Sequence, residues 1–425
     1  MKIKDIRKQF PILDNKINGK KLIYLDSAAT TQKPEFVIDA LTKYYRNFNA
    51  NIHRSSHQLA KEATRRWVEA HNTVANFVNA KNYKEIIFTR NTTEGINLFV
   101  NTYAKKNLTK DDTVIITEME HHSNIVPWQI LKENIGFNLE YIPVTGNYKL
   151  DLNWLENKIQ ELDNKIKIVS LVHVSNVLGT INDVKKITEI SHKVGAIVLV
   201  DAAQSIARLP IDVQDIGCDA LVFSSHKIYG PTGIGVLYVK ENILENMPPY
   251  MGGGEMIEEV HKDRYVLNDL PWRFEAGTPD IADGIVLGET LNWFKDTVDK
   301  IGGYDSLLEH EKSLVETFIS NFEDINWFKI FGKQDRIGSI AFNLEGFTFD
   351  GCKKETKSSN QKGKDILEYI SSKGLCLRDG FHCAQPLHEK FNKGPTIRVS
   401  FGIYNNEEDV IRASKIIKEG VLRVM

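Results

Sequence analysis

Five short apolar runs in the first 240 residues end in the same way, and that repetition narrows the fold more than any other feature of the chain. Ile86-Ile-Phe-Thr89 runs into Arg90-Asn-Thr-Thr-Glu-Gly95, and Val114-Ile-Ile-Thr117 into Glu118-Met-Glu-His-His-Ser123. Residues 167–174 run into Ser175-Asn176, residues 196–200 into Asp201-Ala-Ala-Gln204, and residues 220–223 into Ser224-Ser-His-Lys227. Helically spaced stretches separate these runs. Strands that alternate with helices predict a largely parallel, doubly wound sheet. Ligands on such sheets bind beyond the carboxyl ends of the strands. Thr93, His121, Asn176, Asp201, Gln204, His226 and Lys227 all fall at that edge. Any one of them alone reads as structural; together on one edge they read as a site.

The remaining chain is organised around this block. A helix is predicted from Glu35 to Phe48 after Pro34, a usual first-turn residue, and a long amphipathic helix ends near Val78. Asn91 and Glu94 have capping-box spacing, and a hydroxyl-rich helix start favours anions. A further strand is expected over 234–239. Residues 251–279 are Gly-rich and polar without a strong period, which predicts a functional loop or an interface segment. Helices near 281–299, 303–322, 364–373 and 407–423, with strand-like runs over 338–343, 376–378 and 396–400, predict a smaller α+β domain. The tract 352–364 has no apolar residue beyond its first and reads as an exposed loop.

A chain of 425 residues exceeds what one core usually supports, so two domains are expected. The net charge of −2 provides no basic field for nucleic acid. The N-terminus lacks an apolar signal region, and no run approaches membrane-spanning length. Four irregularly spaced cysteines fit a reducing compartment, and the cytoplasm is the expected location.

Lys227 ends a buried strand in a Ser/His/Gly-rich turn. It fits a Schiff-base lysine holding pyridoxal 5'-phosphate (PLP); it also fits a loop lysine that binds nothing. PLP requires further partners. Asp201 is the candidate carboxylate for the pyridinium nitrogen, and Gln204 a donor to the ring oxygen. His121 is the candidate for covering the ring and shuttling protons, since an ordinary histidine titrates near neutrality. Thr92, Thr93, Ser224 and His226 are the candidate phosphate ligands, with Asn176 beside them.

Asp201-Ala-Ala-Gln204, Ser224-Ser-His-Lys-Ile-Tyr-Gly-Pro231 and Glu120-His-His-Ser-Asn-Ile-Val-Pro-Trp128 resemble the class V aminotransferases, and more narrowly the SufS-type cysteine desulfurases. The likeness runs from Asp26 to Arg398. It implies an α/β, PLP-dependent transferase fold of type I, with a large domain over 22–292 that carries a mostly parallel sheet between helices. It also implies a smaller α+β domain built from 1–21 and 293–425. Arg378-Asp-Gly-Phe-His-Cys383 then resembles the loop of the catalytic cysteine, whose thiolate would attack sulfur. Lys227, Cys383 and His121 would be catalytic; Arg398, Asn176, Arg378 and His53 would hold the substrate, L-cysteine. The family is homodimeric, and Thr278 would reach the neighbour's phosphate. His382 and Arg378 are expected to lower the thiol pKa; Asp379 and Phe381 depart from the family pattern, and Asp379 would raise it. The sulfur would pass from a Cys383 persulfide to an acceptor for iron–sulfur cluster assembly. A SufE-like acceptor is favoured over a SufU-like one, because 347–364 holds no histidine. Selenocysteine lyase, cysteine-sulfinate desulfinase, another class V aminotransferase and a non-catalytic scaffold are the rival readings.

Overall fold

A computed structural model describes residues 3–333, 335–349 and 357–425. Seven strands form the central sheet: β1 (Ile86–Thr89), β2 (Thr113–Thr117), β3 (Asn138–Ile142), β4 (Ile166–Val172), β5 (Ile197–Asp201), β6 (Ala220–Ser224) and β7 (Gly235–Val239). Their order is β1-β7-β6-β5-β4-β2-β3. Only β7 runs antiparallel to its neighbours; the other pairs are parallel. Alternate residues enter two different cores. Ile86, Ile115, Val198 and Leu221 join one, whereas Ile87, Val114, Leu199 and Val222 join the other. Both faces are covered, which is why these strands read as unbroken apolar runs rather than alternating ones.

Helix α1 (Gln58–Phe77) buries Ala63, Trp67, Ala70 and Val74, one face at helical spacing. It packs against helix α2 (Ile281–Ile301). Gly284 makes the crossing close: a Cβ there would lie 2.3 Å from the Trp67 ring. Gly284→Ala therefore overpacks this contact, at a typical cost of about 1–3 kcal/mol.

The second sheet holds β8 (Phe328–Phe331), β9 (Ser339–Leu344), β10 (Arg378–Gly380) and β11 (Thr396–Ser400) in the order β8-β9-β11-β10, all antiparallel. It shares a third core with α3 (Lys357–Ser372) and α4 (Glu407–Leu422). The expected loop over 352–364 is corrected here: residues 357–364 are the first two turns of α3. Residues 352–356 lie outside the described residues. Lys and Gln are strong helix formers, so a polar tract without periodicity can still be helical when its later turns anchor it.

The N-terminal segment is divided between cores. Ile6, Phe10 and Leu13 join the core of the large sheet, whereas Ile23 and Leu25 join the small one. The helix α2 continues unbroken through residues 292–293. Among the described residues, no helix is long and apolar enough to cross a membrane.

Candidate active site

The carboxyl ends of β2, β4, β5 and β6 meet β10 and β11 around a cavity of about 250 Å³. Its walls carry Thr92, Thr93, His121, Asn176, Asp201, Ser224, His226, Lys227, Arg378, Cys383 and Arg398. Eleven of the residues singled out in the sequence thus share one chamber. Gln204 is buried beside it, its amide donating to Ala28 O at 2.8 Å. His53 and Thr278 are elsewhere in the single chain. His53 packs on Trp272 at 4.7 Å between ring centres. Thr278 lines a separate cavity of about 720 Å³, and Asn91 borders both.

Asp201 ends one strand and Lys227 sits in the turn after its parallel neighbour; Asp201 is buried and Lys227 half-buried. Burial pushes the Asp201 carboxyl up and Lys227 opposes it; burial pushes Lys227 down and Asp201 opposes that. Each partly offsets the other's burial, but burial is the larger effect on both and favours the neutral forms.

The helix Thr92–Phe99 begins beside them. Asn91 caps it, accepting from Glu94 N–H at 3.0 Å, but the Glu94 carboxylate turns back to Arg90 N–H rather than closing a box on Asn91. Ser224 Oγ accepts from Thr92 N–H at 2.8 Å and shares a hydrogen with Thr92 Oγ1 at 2.7 Å. Gly235 lets β7 lie against this helix start, since a Cβ there would stand 2.6 Å from Asn91 Cα. The hydroxyls of Thr92, Thr93 and Ser224 at a helix N-terminus make an anion cradle.

His121 is neutral. Burial, then Lys227, His122, Arg398 and Arg378, hold its pKa down at about 3. This overturns the expectation of a histidine titrating near neutrality. Its Nδ1 accepts from Ser123 N–H at 3.2 Å, so the ring proton is on Nε2. His121 is therefore a fixed hydrogen-bond donor to the cavity.

Arg398 and Arg378 are register partners on β11 and β10, so their side chains share a face. Asp379, by strand alternation, is on the opposite face. Arg398 donates to Asp26 Oδ1 at 3.0 Å and to Asn176 O at 3.1 Å. No local signal in the sequence ties Asp26 to an arginine 372 positions away.

The cysteine loop is strained and clamped. His382 and Cys383 have φ of 51° and 56°, the left-handed region that side chains rarely adopt. Each such residue costs about 1–3 kcal/mol and persists only where its surroundings impose it. His122 N–H donates to Cys383 O and Asn176 Nδ2 to His382 O, both at 2.7 Å. Phe381 packs edge-on against His388. His382 is held well below the usual histidine range, chiefly by burial and then by Arg398, so it carries no positive charge to lower the thiol pKa, contrary to expectation.

The residues present fit PLP. A buried acid faces a half-buried lysine, an anion cradle stands beside them, and three buried atoms of the cavity wall lack partners: Asn176 Oδ1, His382 Nδ1 and Arg398 Nε. Among the described residues no His, Cys, Asp and Glu cluster could hold a metal ion.

Burial makes this site sensitive to acid. His226 and His173 are both held near pKa 4 by burial, in company with His121 near 3. Their folded pKa values lie below the ordinary 6.5, so between about pH 6.5 and 4 the unfolded chain binds more protons. Stability is then expected to fall as pH drops through that window, by about 4 kcal/mol per pH unit from these three alone, with His382 adding to the slope. Urea denaturation at pH 7 and pH 5 checks this, and His173→Gln should flatten the slope by one proton's share, about 1.4 kcal/mol per pH unit, whatever it does to the midpoint.

Residues 23–412 match the Aminotransferase class-V family. The chain is 43% identical to a probable cysteine desulfurase of Halalkalibacterium halodurans, over 98% of this chain and 97% of the relative. It is 40% identical to a cysteine desulfurase of Escherichia coli O7:K1, over 96% and 95%. The crystal structure of the cysteine desulfurase CsdA from Escherichia coli superposes with a TM-score of 0.88 at 33% identity, covering all of both chains. That of the apo cysteine desulfurase of Thermococcus onnurineus NA1 superposes equally well, covering 100% and 99%. A match over nearly the whole length, in sequence and in fold, to proteins of one kind means that this chain belongs to the class-V aminotransferase family.

Proposed function

We propose that the chain is a PLP-dependent cysteine desulfurase of the SufS type. It converts L-cysteine to L-alanine and carries the sulfur as a persulfide on Cys383 toward iron–sulfur cluster assembly. One observation carries this reading: a single cavity joins the Lys227–Asp201 pair to Cys383, on a strained loop beside two arginines.

Bound PLP supplies an electron sink for the substrate's α-carbon. Asp201 would face its ring nitrogen, and Thr92, Thr93, Ser224 and His226 would hold the phosphate. Gln204 would steady the ring oxygen. Arg398 takes the substrate carboxylate, with its unpartnered Nε as a donor and Asn176 Oδ1 as an acceptor nearby. Lys227, its pKa lowered by burial and by Arg398, supplies a neutral amine to remove the α-proton. The Cys383 thiolate attacks the substrate sulfur. An S–S bond forms, the C–S bond breaks, and its electron pair stays with carbon, which the proton held by Lys227 then quenches to alanine, with His121 Nε2–H as a hydrogen-bond donor beside it. Arg378, beside Arg398, could also meet a second anion, which favours cysteine sulfinate as the alternative substrate.

A second copy of the chain completes the reading. The hairpin Ile257–Val260 and Tyr265–Leu267 exposes Val260, Tyr265 and Val266. Arg54 ties it to the His53 loop through Ile257 O at 2.9 Å. His53 and Thr278 would serve the neighbour's cavity from this face. Sedimentation equilibrium is expected to give twice the chain mass; a monomer that is fully active would sink the assignment of both residues. The acceptor is of the SufE or SufU kind and the setting cytoplasmic.

Peptide mass spectrometry without reductant, after brief exposure of PLP-loaded protein to L-cysteine, tests the function. One added sulfur on the Cys383 peptide, with alanine released, is expected. Alanine without added sulfur moves the lyase reading forward; reaction with cysteine sulfinate alone moves the desulfinase reading forward.

A further inference from the structure

Four donors converge on one carbonyl oxygen next to Lys227. His226 O accepts from Thr31 N–H and Thr31 Oγ1–H, both at 2.9 Å, from Thr30 Oγ1–H at 3.3 Å, and from Lys33 Nζ–H at 3.1 Å. This oxygen belongs to the peptide whose nitrogen is that of Lys227. A carbonyl has two lone pairs, so four donors are twice the usual complement. On the other side of the lysine, Thr31 Oγ1 accepts from Tyr229 N–H at 2.8 Å, where φ is 67°. The segment Thr30–Lys33 thus holds the Lys227 turn at both ends.

Lys33 is the charged member of this clamp. It precedes Pro34, which restricts it to extended backbone and turns its side chain back from the helix start. Its Nζ also donates to Thr31 O at 2.7 Å, so its bonds go to oxygens without formal charge. Burial lowers its pKa to about 7. An ammonium kept among neutral acceptors costs stability, and such groups gather where a protein works. The role given to the cavity residues does not include it.

We propose that Lys33 is a positioning residue for Lys227: its ammonium grips the His226 carbonyl and fixes the peptide from which the Lys227 side chain springs. The proposal rests on Lys227 as the cofactor lysine. A lysine that must first hold the cofactor and then move one proton needs its Nζ placed within a fraction of an ångström, and a fixed backbone provides that placement.

The test uses the PLP-loaded protein. Visible circular dichroism of the lysine-bound cofactor reports how the ring is oriented, which a purely stabilising residue would not change. In Lys33→Met that band is expected to lose half its amplitude or more. Alanine formation should fall about 10- to 30-fold in kcat, with KM within about twofold. Lys33→Arg should restore most of both. Thr31→Val removes the bridging hydroxyl without removing charge and should lower kcat in the same way, so it decides the matter if Lys33→Met does not fold. Unchanged dichroism and kcat in a folded Lys33→Met or Thr31→Val protein, with only a lower Tm, would overturn the proposal. Wild-type protein without any visible band would instead refute the reading of Lys227 itself, and this inference with it.

Discussion

Replacing Cys383 by serine is expected to lower alanine formation from L-cysteine by about 10³-fold or more, while the bound cofactor keeps its visible absorbance and its spectral response to L-cysteine. The loop is docked through its backbone. The contacts that hold it run from His122 N–H to Cys383 O, from Asn176 to His382 O and from Ala384 N–H to Phe381 O. None of them uses the Cys383 side chain, so serine should inherit the same φ of 56° and the same clamp. A hydroxyl is a poor nucleophile toward sulfur, whereas a thiolate is a good one. The loss should therefore fall in the sulfur-transfer step alone, and Tm should move by less than about 2 °C, the scale of a surface change. Cys376→Ser is the internal control: Cys376 is half-buried, outside the cavity, and should leave activity intact. Full alanine formation by Cys383→Ser would mean that sulfur leaves without a protein nucleophile.

How much of this could be read from the chain follows from where the information resides. The strands β1, β2, β4, β5 and β6 were legible because both faces of the sheet are covered, so each strand is apolar throughout. The edge strand β3 was missed because its residues are mostly half-exposed. The hairpin over 257–267 was missed for the same reason: Glu258, Glu259 and Val260 all face outward, and no alternation marks the ladder. Strand ends then located most of the site, since the fold gathers them at one edge.

The missing parts are contacts between distant segments. Asp26 meets Arg398 because Ser27 N–H and Ser400 O join the N-terminal segment to β11. That pairing leaves no trace in either local sequence. The charge on His121 was misjudged because its pKa depends on burial and on Lys227, Arg398 and Arg378, which arrive from three other parts of the chain. Asp379 stands close to Cys383 in sequence, yet alternation on β10 puts it on the face opposite Arg378, which lines the cavity.

Replacing Lys227 by alanine is expected to have the largest effect of any single change. Alanine formation should fall by at least about 10⁴-fold, since the covalent anchor of the cofactor and the base for the α-proton are lost together. Free amine added to the medium should restore a small part, a result that mere misfolding would not give. The same change bears on stability. Lys227 and Asp201 each offset the other's burial, and removing one partner of such a pair leaves a buried charge uncompensated, at a typical cost of about 3–5 kcal/mol. Part of that cost is avoided if Asp201 takes up a proton, so apo Lys227→Ala should lose stability as pH rises above about 4, where the unfolded chain's carboxyl ionises while the buried one stays protonated. Adding Asp201→Asn to Lys227→Ala removes that charge. The double variant is therefore expected to unfold at a higher urea concentration than Lys227→Ala alone at pH 8, and at a similar one at pH 4. If the single and double variants have the same midpoint at both pH values, Lys227 and Asp201 are not electrostatically coupled, and the assignment of Asp201 as the partner of the cofactor's ring nitrogen loses its physical basis.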